Sequence, residues 1–139
     1  MAFAKQIGGR LRGGEVIELV GDLGSGKTTF VRGIAEGAGS RDAVSSPSFT
    51  LTNQYDAKKV SIFHYDFYRL LDAGVLQQEL AEQLTDSTTV AIVEWAAIVE
   101  NVLPADRVSI TINPTGDVER SYSIDVPQKF NYLFLDQGD

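Results

Sequence analysis

The sequence predicts an α/β fold, a mixed sheet with a parallel core and antiparallel additions flanked by helices, and three observations predict it. A strand-like run, Glu15 to Val20, leads through a glycine-rich turn into a helical run from Lys27 to about Gly37. A nearly continuous apolar stretch, Thr88 to Val93, has the character of a strand covered on both faces, as interior strands of parallel sheets are. Alternating segments in the middle and near the end of the chain have the pattern of hairpins added to such a sheet.

Taken in order, the first element is a short amphipathic helix. Phe3, Ile7 and Leu11 recur at four-residue intervals within residues 1–12, and Gly13-Gly14 ends the pattern. The strand Glu15 to Val20 follows, then the helix from Lys27, with Gly37 and Gly39 as stop signals. SSPSFTLTNQY alternates around Phe49, Leu51 and Asn53, and VSIFHYDFY carries Ile62, Phe63, Tyr65 and Phe67. These read as two strands of a hairpin joined near Asp56-Ala57-Lys58-Lys59. In GVLQQELAEQL, residues 74–84, Leu76, Leu80 and Leu84 make one face of a helix. The buried strand then ends at Glu94-Trp95, and beyond Pro104 the runs RVSITIN and RSYSIDV form a second hairpin around PTGD. The last dozen residues, QKFNYLFLDQGD, mix an apolar patch with a polar end and predict no element.

With 139 residues, 43% hydrophobic and 22% charged, the chain has the size and composition of one globular domain spanning residues 1–139. No apolar run approaches the roughly 20 residues of a membrane span, and the N-terminus lacks an apolar core of signal-peptide length. The absence of cysteine excludes disulfides and thiolate metal sites and fits a reducing compartment, so a cytoplasmic location is expected. Twelve basic residues against 19 acidic ones give a formal charge of −7. Such a surface repels a phosphate backbone, and the basic residues do not cluster, which argues against direct binding of RNA or DNA.

The turn between the first strand and the second helix is Gly21-Asp22-Leu23-Gly24-Ser25-Gly26-Lys27-Thr28, a complete G-x-x-x-x-G-K-T phosphate loop in strand-to-helix context. The fold expected around it is P-loop NTPase-like. The glycines let consecutive N–H groups curl around the β- and γ-phosphates, and the helix start directs its positive end at the same anion. Lys27 is expected to reach the outer phosphates, and the Thr28 hydroxyl to sit on Mg²⁺; Thr29 completes the binding stretch of residues 21–29. The guanine-specifying string N-K-x-D is absent, so ATP is the expected nucleotide.

Hydrolysis also needs an acidic group to orient metal or water. Glu94 ends the apolar strand and is the first candidate, weighed against a strand-end carboxylate that merely faces water. Asp66 ends another apolar strand and could complete the Mg²⁺ shell, although Asp commonly terminates strands for local reasons. His64 is the chain's one histidine, and a lone histidine between aromatics is more often packing than chemistry. Trp95 could stack near a nucleotide or fill core. Ser46-Pro47-Ser48-Phe49-Thr50 offers hydroxyls for ordinary turn bonds or for a loop that senses the terminal phosphate. No arginine is marked by sequence as an internal finger, so the expected intrinsic rate is low and partner-stimulated. A small-molecule phosphotransferase and a nucleotide-gated binding module with negligible turnover are the alternatives.

Four motifs in order, GDLGSGKTTFVRGIA, SSPSFTLTNQY, FHYDFYRL and IVEWA, closely resemble the TsaE (YjeE) family, P-loop ATPases of bacterial tRNA threonylcarbamoyladenosine biosynthesis. The likeness covers roughly residues 11–112. It implies that Thr28 and Glu94 bind Mg²⁺, that Asp66 lies in the metal and water shell, and that Lys27, Asp66 and Glu94 carry catalysis. It implies that SSPSFTL is a switch-like loop, and it raises Trp95 toward the nucleotide and His64 toward the active site. It also implies partners, the TsaB and TsaD proteins, whose complex the ATP cycle drives or resets. The sequence departs from the family pattern at Ser48, where threonine is usual, and at Ala96-Ala97, where Pro-Glu often follows the tryptophan.

Overall fold

Four-residue spacing of apolar side chains produces the first helix, α1 (Ala2–Gly9), whose Ala4, Ile7 and Gly8 are buried. The structure, a computed structural model, describes residues 2–21, 26–44, 52–67, 74–114 and 120–134. Strand β1 (Val16–Val20) follows α1, and α2 (Lys27–Gly37) buries Phe30, Val31, Ile34 and Ala35. The two helices touch through glycines. A Cβ built on Gly8 would lie 2.0 Å from the Ile34 carbonyl oxygen, and one on Gly37 would lie 2.0 Å from that of Lys5. Any larger side chain would push the helix axes apart, so these positions set the depth at which α1 seats on α2.

Among the described residues six strands form one sheet in the order β2-β3-β4-β1-β5-β6. The interior strands β3 (Ser61–Asp66), β4 (Thr89–Glu94), β1 and β5 (Val108–Pro114) run parallel. The outer strands β2 (Thr52–Asp56) and β6 (Arg120–Asp125) pair antiparallel with β3 and β5. The expected architecture, a parallel core with antiparallel additions, is therefore the observed one, with both hairpins in place. All six residues of β4 are buried, as its unbroken apolar run requires. Edge strand β6 instead alternates toward solvent with polar side chains, which discourages pairing with another chain.

The two-residue period of the strands sorts side chains onto two cores. Ile17, Leu19, Ile62, Ile92 and Ile110 pack with α1 and α2 on one face. On the other, Val16, Tyr65, Ala91 and Val93 pack with Leu80 of α3 (Gly74–Gln83) and Val99 of a short 3₁₀ helix (Ala96–Val99). Leu76 and Leu84 flank Leu80 against this second core, as their spacing predicts. The C-terminal stretch, for which the sequence predicts no element, forms a 3₁₀ helix over Gln128–Leu133 with Phe130 and Leu133 buried. Its Tyr132 hydroxyl donates to Glu15 Oε2, and the Arg12 guanidinium lies 3.8 Å from the Tyr132 ring centroid. Glu15, only 1% exposed, also accepts from the Arg12 and Gly13 main-chain N–H groups at 2.8 Å each, so this buried carboxylate is well partnered.

Candidate functional site

Parallel strands β1, β3 and β4 end at one edge of the sheet, which is where open α/β folds place their ligand crevice. Register fixes who meets there. Asp66 at the end of β3 lies directly across from Glu94 at the end of β4, and Glu94 lies across from Leu19 of β1, two residues before Gly21. Gly21 therefore leaves β1 beside Glu94, with Asp66 one strand further along the same edge. Glu94 is 4% exposed and Asp66 9%.

The turn re-enters regular structure at Gly26, the N-cap of α2, whose φ of 101° is a left-handed conformation open to glycine and costly to a residue with a Cβ. Lys27, the first residue of α2, is buried and folds back so that its ammonium donates to the Gly21 carbonyl at 2.5 Å. The same ammonium lies 5.0 Å from the Trp95 ring centroid, within cation–π range. Thr28 is half-buried and Thr29 exposed. Asp22, Leu23, Gly24 and Ser25, and the Ser46 to Thr50 segment, lie outside the described residues.

Trp95 is not a core residue. It is 38% exposed and, among the described residues, the one non-glycine with positive φ, at 57°. That conformation is sparsely populated for an aromatic residue and recurs at functional sites. Here it ends β4 sharply, caps the 3₁₀ helix Ala96–Val99, and turns the indole toward Lys27. Beneath Gly21 and Trp95, on the 3₁₀-helix face, a cavity of about 440 Å³ opens between the ends of β1 and β5, lined by Glu18, Val20, Ala97, Thr111 and Asn113 among others. Of these, Glu18 accepts from Arg107 at 3.0 Å, and the same guanidinium donates to Glu100 at 2.6 Å.

Two further residues stand beside the site: Arg120, which sequence reasoning did not single out, and His64, which the residues alone read as packing and the family resemblance raised toward the active site. Arg120, at the start of β6, has its Nε 3.7 Å from where a Cβ on Gly26 would be, so a guanidinium borders the turn. No local pattern marks it, because β6 reaches α2 only through the folded sheet. His64, fully buried, is hydrogen-bonded from Nε2 to Glu94 Oε2 at 2.5 Å. Its place between Phe63 and Tyr65 gives a packing signal; its bond partner is 30 positions away.

Among the described residues no three His, Cys, Asp or Glu side chains are grouped closely enough to hold a metal by themselves. The available donors are two carboxylates and the Thr28 hydroxyl, all oxygen. That set suits a hard divalent cation that keeps water and substrate oxygens in its shell. No helix among the described residues is long and apolar enough to cross a membrane.

Comparison with known proteins bears on what such an edge is for. The family model described as "Threonylcarbamoyl adenosine biosynthesis protein TsaE" matches residues 1–122. The chain belongs to the TsaE family. A TsaE relative in Bacillus subtilis, named tRNA threonylcarbamoyladenosine biosynthesis protein TsaE, is 39% identical over 120 residues, covering 86% of this chain and 74% of the relative. A relative of the same name in Treponema pallidum is 33% identical over 118 residues, 85% of this chain and 87% of its own length. Among solved structures, that of Bacillus subtilis YdiB superposes with a TM-score of 0.75 at 35% identity, covering 95% of this chain and 82% of that one. The TsaE match extends beyond the residues 11–112 that carry the motif resemblance, into α1 and the β5–β6 hairpin.

Proposed function

We propose that this chain is a small cytoplasmic Mg²⁺-dependent ATPase, one domain over residues 1–139, whose ATP cycle drives or resets a TsaB–TsaD complex in tRNA threonylcarbamoyladenosine biosynthesis. The observation that carries the reading is the meeting at one sheet edge of the Gly21–Lys27 closure, Glu94 and Asp66. The family and the names of its members support the pathway.

In this reading main-chain N–H groups of the turn and the start of α2 receive the polyphosphate. The Lys27 ammonium exchanges the Gly21 carbonyl for the outer phosphate oxygens, and Arg120 adds a second cation beside Gly26. Thr28 and Glu94 would hold the metal, and Asp66 would orient its shell or the attacking water. When bound, Mg²⁺ would supply charge neutralisation for the transferred phosphoryl group. Trp95 lines the nucleotide side. The chain's acidity, −7 overall, leaves tRNA to the partners.

Phosphate release and nucleotide titration, followed by emission from the single tryptophan, test the reading with and without purified TsaB and TsaD. Lys27→Ala is expected to abolish the nucleotide response and to lower turnover by about 10²- to 10³-fold. Glu94→Gln is expected to spare nucleotide binding far more than turnover. Adding TsaB and TsaD should raise the rate. Nucleotide binding without phosphate release under either condition would replace the ATPase with a nucleotide-gated binding module. Transfer of the γ-label to a small acceptor would replace it with a phosphotransferase.

A further inference from the structure

We propose that His64 is a positioning residue for Glu94, holding one carboxylate oxygen so that the other keeps a fixed direction toward the turn; this rests on the reading of Glu94 as the metal-side carboxylate. The two-residue period puts His64, Asp66 and Glu94 on the same face of β3 and β4, the face that carries α2. His64 Nε2 lies 2.5 Å from Glu94 Oε2, with the imidazole 0% exposed and the carboxylate nearly so. The carboxylate can only accept, so the proton of that bond sits on Nε2. The other ring nitrogen, Nδ1, is buried with no hydrogen-bond partner among the described residues.

That arrangement is a poor one for a residue whose task is to fill space. Its cross-strand neighbours are Asn53 on β2 and Ile92 on β4, with the Tyr55 ring centroid 6.3 Å away, and Phe or Leu would occupy the site without leaving a ring nitrogen unpaired among the described residues. What imidazole supplies, and those side chains cannot, is the Nε2–H. The terminal torsion of a glutamate is broad and soft, so a free carboxylate samples many orientations. With Oε2 tied to a ring held by packing on all sides, that torsion is locked. Such supporting partners of a metal-side carboxylate commonly change affinity or turnover without touching substrate.

The test compares His64→Phe, which keeps bulk and loses the donor, with His64→Gln, whose side-chain amide restores one. In the untagged full chain the lone histidine gives a single pair of ring ¹⁵N signals, expected to show the proton on Nε2; a proton on Nδ1 overturns the proposal. His64→Phe is expected to leave metal-free nucleotide affinity within about twofold while the Mg²⁺ requirement rises and kcat falls by about 10- to 100-fold, KM for ATP staying near its wild-type value. His64→Gln should recover most of both. In a Glu94→Gln background His64→Phe should add no further loss. Parallel loss of binding and turnover, additivity with Glu94→Gln, or an unaltered Mg²⁺ requirement in His64→Phe each sinks the proposal. Should the phenylalanine variant not fold, failure of a folded His64→Gln to outperform a folded His64→Leu does so instead. If Glu94→Gln itself leaves Mg²⁺ dependence and turnover unchanged, the reading of Glu94 fails first; if Glu94→Gln is impaired and His64→Phe is not, the role of His64 alone fails.

Discussion

Tyr132 ties the C-terminal 3₁₀ helix to the turn before β1 through one hydroxyl, and that bond has a pH consequence. Burial, and then the hydrogen bond and negative charge of Glu15, push the phenol's pKa upward. A group raised in the folded state stabilises fully below its unfolded pKa, here about 10, and that stabilisation is lost as pH climbs from there toward the folded value. Urea unfolding of Tyr132→Phe and wild type is therefore expected to differ at pH 8 and to converge as pH rises above about 10. A difference that stays constant through that range would show that the hydroxyl titrates freely. The same scale shows what the sequence could and could not disclose. The positions of Lys27 and Thr28 at the start of α2 and of Glu94 at the end of β4 were legible because phosphate-loop spacing and a strand's last residue are local properties. The left-handed backbone of Trp95 was not, since nothing about a tryptophan announces a positive φ; the turn after β4 imposes it.

Helices and strands were read well because each carries its own period. Leu76, Leu80 and Leu84 gave α3, and the unbroken Val90 to Val93 run gave the interior β4. How elements approach one another was hidden. The α1–α2 contact runs through Gly8, which no sequence signal singles out, and Gly37, which reads by itself as a stop signal. It also makes an expectation at this scale. Gly8→Ala places a methyl 2.0 Å from the Ile34 oxygen and is expected to cost about 1–3 kcal/mol or more as the helices part. Gly9→Ala, one residue on, meets nothing closer than 3.5 Å and should be neutral or slightly stabilising. Equal urea midpoints for the two variants would mean that the helices are not seated this closely.

At the level of the whole molecule, the contacts that complete the site span the chain. Arg120 borders Gly26 and His64 holds Glu94, and at the far end of β1 Tyr132 reaches Glu15; none of these pairs lies within a window that periodicity can scan. Order along the sheet had to be supplied by folding before these pairs existed. Net charge is the global property the sequence did disclose, and it makes its own prediction. With a formal charge of −7, retention of tRNA in a gel-shift assay at physiological salt is expected only when TsaB and TsaD are present. A shift by this chain alone, steep in salt, would require a local basic surface.

The position of β4 between β1 and β3 also sets when the site can exist during synthesis. A growing chain that has released the turn and α2 but not residues 89–94 has neither the strand that joins β1 to β3 nor the acidic group at its tip. Until that wedge is inserted, the two halves of the crevice have no common wall. The nascent polypeptide should therefore leave nucleotide alone until β4 is in place, and ligand should in turn slow the unfolding of the finished sheet.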